Sequence, residues 1–448
     1  MLNWLFLAVD RFGRFDPGGL ARRMNYVPAR LVRRIATAKL VSVLRYVYRH
    51  NPVQRARWQR AGIRLGDLCS PEVLPELPFC DGKLLARHPE AFFCVPPEEL
   101  THVITTAGTT GQAKKLYFTG DDMDRQVRLV ATNLRRLPGA SRVLVMFRVT
   151  GATWTAGPIL RRGVEKAGYF GLLSGIESPP EEQFQLIREY DIDVLMTMPT
   201  YAHRLTLEAD QDLREFGIKY IVLGAEPWTE RLRAELEAAW GAKVLDAYGT
   251  NECGTGLASE CVMQDGLHVA EADFWVEIVD PETGKPLPDG TDGEVVVTTL
   301  SRRGMPLVRY RVGDIAHLVP DRRRCACGLP LRKMSRIRGR TDDMLILGGS
   351  NVFPDQFDQA ILTVPGITDY QITVEKDGYK DVLHLTVECD SNHDNLRETL
   401  INALKSIELL RLHADSSGLV TFGRIRGVPR GTLAADRPKT IRVIDSRR

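Results

Sequence analysis

Between Arg142 and Leu245, four short β-rich runs (142–147, 194–198, 220–223 and 243–245) alternate with helical stretches near 179–190, 201–216 and 229–240. Nothing else in the chain restricts its fold as strongly. A strand followed by a helix and another strand returns in the same direction, so the alternation predicts an α/β domain with a largely parallel sheet. Residues 25–62 read as helices, and 63–100 as irregular structure ending near Pro96-Pro97. From about 267 to 320 the runs become strand-rich, with turns at Asp289-Gly290 and Asp292-Gly293, which predicts a β subdomain. From about 343 an order close to β-α-β-β-α-β predicts a small α+β domain, with helices near 354–363 and 394–410 and strands near 368–375, 382–389 and 418–423.

Length and charge bound the possible functions. The 448 residues, 44% of them hydrophobic, are enough for more than one domain with its own core. With 60 basic and 57 acidic residues the net charge is +3, which removes the electrostatic case for a nucleic-acid binder. A local excess of Arg and Lys between Arg33 and Arg60 is interleaved with Leu31, Ile35, Leu44 and Val47 at helical spacing, and reads as the solvated face of amphipathic helices. The opening apolar Met1–Val9 has no basic stretch before it and no small-residue cleavage site after it, and falls far short of the roughly 20 residues of a membrane span. The expected location is the cytoplasm. Eight cysteines are too dilute for a disulfide framework, leaving reduced thiols or a metal site.

The chemistry lies in the loops. Thr105-Thr-Ala-Gly-Thr-Thr-Gly-Gln-Ala-Lys114 sits between two β-rich segments. Gly108 and Gly111 allow close backbone approach to an anion, Thr106, Thr109 and Thr110 offer hydroxyls, and Lys114 adds charge: a phosphate cradle, although not of the Walker spacing. Alone it would be an ordinary Gly/Thr hairpin turn. Three more polar loops follow predicted strands, where open α/β sheets place their ligands: Gly224-Ala225-Glu226-Pro227-Trp228, Asp246-Ala247-Tyr248-Gly249-Thr250-Asn251-Glu252 and Arg309–Asp314. Gly339–Ile346 and Gly348–Pro354 mark the passage into the last domain.

In this order the motifs resemble the adenylate-forming enzymes, and among them the phenylacetate-coenzyme A ligase family, from about residue 40 to the C-terminus. The closer match rests on Gly224–Glu230, Glu260–His268, Met305–Tyr310, Asn351–Pro354 and Arg442–Asp445. The resemblance implies a large N-terminal domain (1–341, with its β subdomain about 260–335) and a small mobile lid domain (342–448). It implies ATP, Mg²⁺ and coenzyme A as cofactors, a small, aromatic carboxylic acid as substrate, and a homodimer. The loop through Lys114 would hold the outgoing pyrophosphate, and Gly224–Pro227 with Tyr248 would bound the adenine and acyl pockets. Glu252 would bind Mg²⁺, Asp314 and Arg340 the ribose hydroxyls. Asp342 would be the hinge, Gly348 and Gly349 would line the pantetheine tunnel, and Lys439 of the Lys-x-x-Arg element would offset the charge built up when carboxylate attacks phosphate.

Ala107 stands where this family usually has Ser, and Asn251 where it has Thr, so an amide would replace a hydroxyl donor. The segment 148–175 also departs from the family's Gly/Tyr-rich stretch. Cys261-x₆-His268 and Cys325-Ala-Cys327 supply three thiolates and an imidazole, a set suited to structural zinc, and similar chains carry these ligand types at the same motifs. Cys253 beside Glu252 has no His–Asp arrangement to activate it. Two other readings stay open: transfer to an amine, a carrier-protein thiol or a nitrogen oxyanion, and a non-catalytic nucleotide-binding protein. Intact Glu252, Asp314, Arg340 and Lys439 stand against the latter.

Overall fold

The computed structural model describes residues 28–105, 114–147, 156–320, 325–341, 345–348, 350–389, 395–433 and 442–447. They fall into two compact units: 28–228 with 233–336, and 229–232 with 337–447. Among them no helix is long and apolar enough to cross a membrane.

The first unit is organised by an eight-stranded sheet. Its order is Lys333–Met334, Leu267–Val269, Gly254–Glu260, Lys243–Thr250, Tyr220–Gly224, Val194–Thr197, Arg142–Met146, Phe170–Ser174. The last five are parallel, as the alternation requires, and the first three add on antiparallel. Val143–Met146 and Val194–Thr197 are buried at every position, which is why they read as apolar runs without alternation. Beside this sheet, Phe274–Val279, Gly293–Thr299 and Tyr310–Ala316 pair antiparallel as the core of the β subdomain.

Four local expectations change. The helix near 201–216 is a helix over Pro199–Leu207 and a separate 3₁₀ turn over Leu213–Phe216, because the Asp212 carboxylate accepts from the Arg214 N–H and starts a new turn. The loop 246–252 is mostly strand: Lys243–Thr250 continues into an antiparallel pairing with Gly254–Glu260, leaving only 251–253 as a turn. Its glycine reads as a loop signal but serves close strand approach, since a Cβ on Gly249 would lie 2.7 Å from the Gly254 carbonyl oxygen. Likewise Tyr310–Ala316 is a strand and not a loop after one. Of the N-terminal cations, Lys39 is not on a solvated face; it donates to the Ala272 carbonyl and Ser301 Oγ at 2.6 and 2.7 Å.

The helix Gly120–Leu134 fixes the subdomain to the site. Thr119 and Asp122 form a reciprocal capping box at its start. The Asp122 carboxylate, 4% exposed, also accepts from the Arg303 and Gly304 N–H groups at 2.7 and 2.9 Å. One side chain therefore caps a helix and satisfies a buried turn.

In the second unit a four-stranded sheet runs Val420–Val428, Lys380–Cys389, Ile367–Asp377, Val443–Asp445. Helices Pro354–Ile361, Leu396–Lys405 and Glu408–Asp415 complete the unit, and Phe357, Tyr370, Ile372, Leu385, Leu400 and Leu410 share one core. The single helix expected near 394–410 is two, because the chain turns extended at Ile407, which is buried in that core. The strand Val443–Asp445 has no counterpart in the expected order; three residues are too few to show a period.

Asp122→Ala should lower unfolding free energy by roughly 3 kcal/mol, since it removes a cap and leaves two buried N–H donors unsatisfied. Chemical denaturation of the variant checks this, and a loss under about 1 kcal/mol would show that the clamp adds little to helix stability.

Candidate active site

Strand ends bring the candidate residues together. The hairpin His102–Thr105 and Lys115–Phe118 pairs Thr105 with Lys115, so Lys114 stands at the mouth of the Thr/Gly loop. The loop itself, with Thr106, Gly108, Thr109, Thr110 and Gly111, lies outside the described residues, as do Ala107, Asp342, Gly349 and Lys439. Lys114 Nζ forms an ion pair with Glu252 Oε1. Glu252 is only 8% exposed, in the turn between the strands Lys243–Thr250 and Gly254–Glu260. Its carbonyl oxygen accepts from Arg302 at 2.5 Å, and the Arg302 guanidinium lies 4.0 Å over the Phe118 ring.

Tyr248, on the same long strand, donates its hydroxyl to Asp314 Oδ2 at 2.6 Å. That contact needs a bulge. Glu294 pairs with Ile315 and Val296 with Arg311, so residues 312–314 face Val295 alone, and Gly313 adopts φ +84° there. The extra residues re-aim Asp314 toward the parallel sheet.

The loop after Tyr220–Gly224 is held by strain and charge. A Cβ on Gly224 would sit 2.8 Å from the Ala247 carbonyl oxygen, and Ala225 takes φ +73°, a conformation that L residues rarely adopt. Glu226 accepts from Thr200 Oγ1 at 2.7 Å and from its N–H at 3.2 Å. The Trp228 indole donates to Asp246 Oδ1 at 3.3 Å, while Arg336 donates to Asp246 Oδ2 at 3.0 Å and lies 3.8 Å over the Trp228 ring. Arg233 is buried against Glu260 with paired contacts near 3.0 Å, and Glu260 also accepts from the Asp246 N–H at 2.8 Å. Burial pushes the Asp246 and Glu260 carboxyls up, against the pull of these guanidiniums. Spacing in the sequence gave no sign of Arg233, Arg302 or Arg336 as members of this site, and Glu260 and Tyr310, although inside the motifs Glu260–His268 and Arg309–Asp314, had no role of their own.

Taken together, a cation at a Thr/Gly loop, a buried carboxylate on a turn and a Tyr–Asp pair across two sheets gather charged and polar groups beside the C-terminal end of the parallel strand Lys243–Thr250, where open α/β sheets place ligands. The AMP-binding enzyme family matches residues 25–301, and the AMP-binding enzyme C-terminal domain matches 349–447. The chain is 34% identical over 387 residues to the phenylacetate-coenzyme A ligase of Aromatoleum evansii, covering 84% of this chain and 86% of that protein. It is 36% identical over 374 residues to the phenylacetate-coenzyme A ligase of Thermus thermophilus, covering 82% and 83%. The chain belongs to the phenylacetate-coenzyme A ligase family of AMP-binding enzymes. Its fold is also that of a 2-hydroxyisobutyryl-CoA ligase in the postadenylation state, with TM-score 0.78, 23% identity and coverage of 95% and 92%.

Within this AMP-binding enzyme, Arg340 and Gly348 belong to the second unit. Gly348 takes φ +58°, its N–H donates to Asp381 at 2.9 Å, and a Cβ there would lie 2.7 Å from the His413 ring. Position 348 accepts only glycine without rearrangement. Cys253, at the centre of the first unit, has a thiol pushed up to about 12 by burial, so it is no nucleophile.

Cys261, His268, Cys325 and Cys327 converge, with all four donor atoms within 4.8 Å of one another. The pairing of Lys333 with His268 folds the 325–327 turn back over the sheet edge. Cys261 Sγ lies 3.6 Å from Cys325 Sγ, and Cys327 Sγ lies 3.3 Å from His268 Nε2. Ligands at about 2.3 Å around a tetrahedral ion stand roughly 3.8 Å apart, so the set fits one soft divalent cation.

Glu260→Ala should destabilise the protein by about 3–5 kcal/mol, because Arg233 would keep a buried charge without its partner. Equilibrium unfolding measures it, and a cost below about 1 kcal/mol would show that water reaches the guanidinium.

Proposed function

We propose that this enzyme condenses a small carboxylic acid with ATP to give an acyl-adenylate and pyrophosphate, then transfers the acyl group to coenzyme A. The observation that carries this is the convergence of Lys114, Glu252, Tyr248 and Asp314 in a chain of this family. Phenylacetate-coenzyme A ligases as relatives favour an aromatic acid, and the departure of segment 148–175 from the family's Gly/Tyr-rich stretch puts that aromatic ring in question.

Lys114 would bind the departing pyrophosphate, and Asp314, already an acceptor from Tyr248, would take a ribose hydroxyl together with Arg340. Glu252 would hold Mg²⁺, a hard cation that prefers carboxylate oxygen and bridges phosphates. Gly224–Pro227, Asp246–Asn251 and the Thr/Gly loop would enclose the nucleotide and the acid. Lys439 would approach the attacked phosphate during adenylation. A swing about Asp342 would then bring Gly348-Gly349 to the adenylate as a passage for the thiol. A cytoplasmic homodimer is the expected form.

The cysteine–histidine cluster would hold one structural zinc that ties the 325–327 turn to the sheet edge. Burial pushes the Cys261 thiol up to about 12, raises that of Cys327 and holds His268 down at about 4. Bound zinc would supply the charge that lets these groups serve as thiolates. Replacing Cys325 and Cys327 by Ser should remove about one zinc per chain and lower the melting temperature by several degrees. Metal analysis of the unmodified protein that finds none near stoichiometry would refute the site.

Lys439→Ala should cut acyl-AMP formation by roughly 10²-fold, the value of one transition-state contact, while ATP affinity and melting stay near wild type. The assay is pyrophosphate release across a panel of aryl and aliphatic acids, which also identifies the substrate. Adenylation within threefold of wild type would remove Lys439 from the mechanism.

A further inference from the structure

The Glu252 carboxylate is used asymmetrically. Lys114 Nζ and the Tyr310 hydroxyl, the latter at 3.2 Å, both meet Oε1. Among the described residues, Oε2 has no partner. A carboxylate free to rotate would exchange its two oxygens between these contacts and the nucleotide side. Two donors fixed on one oxygen prevent that.

Tyr310 itself cannot shift easily. It is 2% exposed, and its backbone is held on one side by Val297 and on the other by a bridge to Cys80, whose N–H donates to the Arg309 carbonyl at 3.1 Å and whose carbonyl accepts from Arg311 at 2.8 Å. The preceding Arg309 takes φ +48°, stacks 3.9 Å over Phe79 and donates to the Leu77 carbonyl at 2.9 Å. A residue in that strained conformation persists only where its surroundings over-determine it.

We infer that Tyr310 is a positioning residue for the proposed cation site: by holding Glu252 Oε1, it fixes the carboxylate, whose other oxygen would serve as a ligand for Mg²⁺. The inference rests on the reading of Glu252 as the Mg²⁺ ligand. Lys114 alone would not suffice, because the same ammonium is the group expected to move onto phosphate once ATP arrives. Tyr310 carries no charge to be drawn away, so it keeps the carboxylate in place while Lys114 changes partners.

The test measures ATP binding calorimetrically in the absence of any acid, with and without Mg²⁺, so that no turnover is needed. In the unmodified protein Mg²⁺ should tighten ATP binding. Glu252→Gln should abolish that gain. Tyr310→Phe should reduce it roughly tenfold, the value of one hydrogen bond to a charged group, while Mg²⁺-free ATP binding changes less than twofold. 4-Aminophenylalanine at position 310, which restores an N–H donor on the same ring, should recover most of the gain, and it serves as the test variant if Tyr310→Phe does not fold. An undiminished gain in Tyr310→Phe, with the Glu252→Gln gain lost, would overturn the inference and leave the reading of Glu252 intact. A gain that 4-aminophenylalanine fails to recover would mean that ring packing matters and the hydroxyl does not, which also overturns it. An undiminished gain in Glu252→Gln would overturn the reading of Glu252 and the inference with it.

Discussion

A carboxylate taken out of water must be compensated on every side, and Glu252 is where this fold meets that demand. Its side chain is met by Lys114 from one hairpin and Tyr310 from the β subdomain, and its backbone carbonyl by Arg302. Lys114 comes from the hairpin, and Arg302 and Tyr310 both come from the antiparallel subdomain. The turn at 251–253 can sit in its buried position only if the hairpin, the parallel sheet and the antiparallel subdomain are all docked. Asp122 performs the same service one layer away, capping a helix and closing the 303–304 turn that follows Arg302. Two buried carboxylates thus turn independent pieces of sheet into one rigid frame around the loops.

The frame was readable because its strands obey a simple period. Val143–Met146 and Val194–Thr197 are covered on both faces, so burial writes itself into the sequence as unbroken apolar runs. Where geometry and composition disagree, the sequence misleads. Gly249 looks like a loop residue, yet it lies in a hairpin whose strands approach too closely for a side chain. Gly313 looks like a turn, yet it is the bulge that aims Asp314. A glycine reports that a Cβ is excluded and says nothing of whether the cause is a turn or a crossing.

The site was legible in part. The residues expected to touch nucleotide announce themselves through short motifs, because phosphates and hydroxyls must be approached by neighbouring groups on one loop. Their supports do not. Tyr310 reaches Glu252 across 58 positions of sequence, and Arg336 reaches Asp246 across 90. Such partners share no spacing, only a fold that joins strand ends. Arg336 shows how much can hang on one of them: it donates to Asp246 and to the Trp228 carbonyl and stacks on the Trp228 ring, so the last residue of the first unit is fastened to the loop that follows Gly224.

The cysteines separate burial from function. Cys80, Cys253 and Cys261 all have thiols pushed up to about 12 by burial. Desolvation alone therefore cannot mark a reactive or ligating thiol. Cys80 satisfies itself by donating to the Val308 carbonyl, and Cys253 takes its place in the turn through its own N–H, which donates to Thr250 Oγ1. Both thiols are spent on packing. Cys261 differs only in its neighbours, since the sheet edge brings His268 and the 325–327 turn to the same point. Four donors brought to one point can share a single divalent cation, which none of the dispersed cysteines could do. Convergence, and not burial, is therefore what sets Cys261 apart from Cys80 and Cys253.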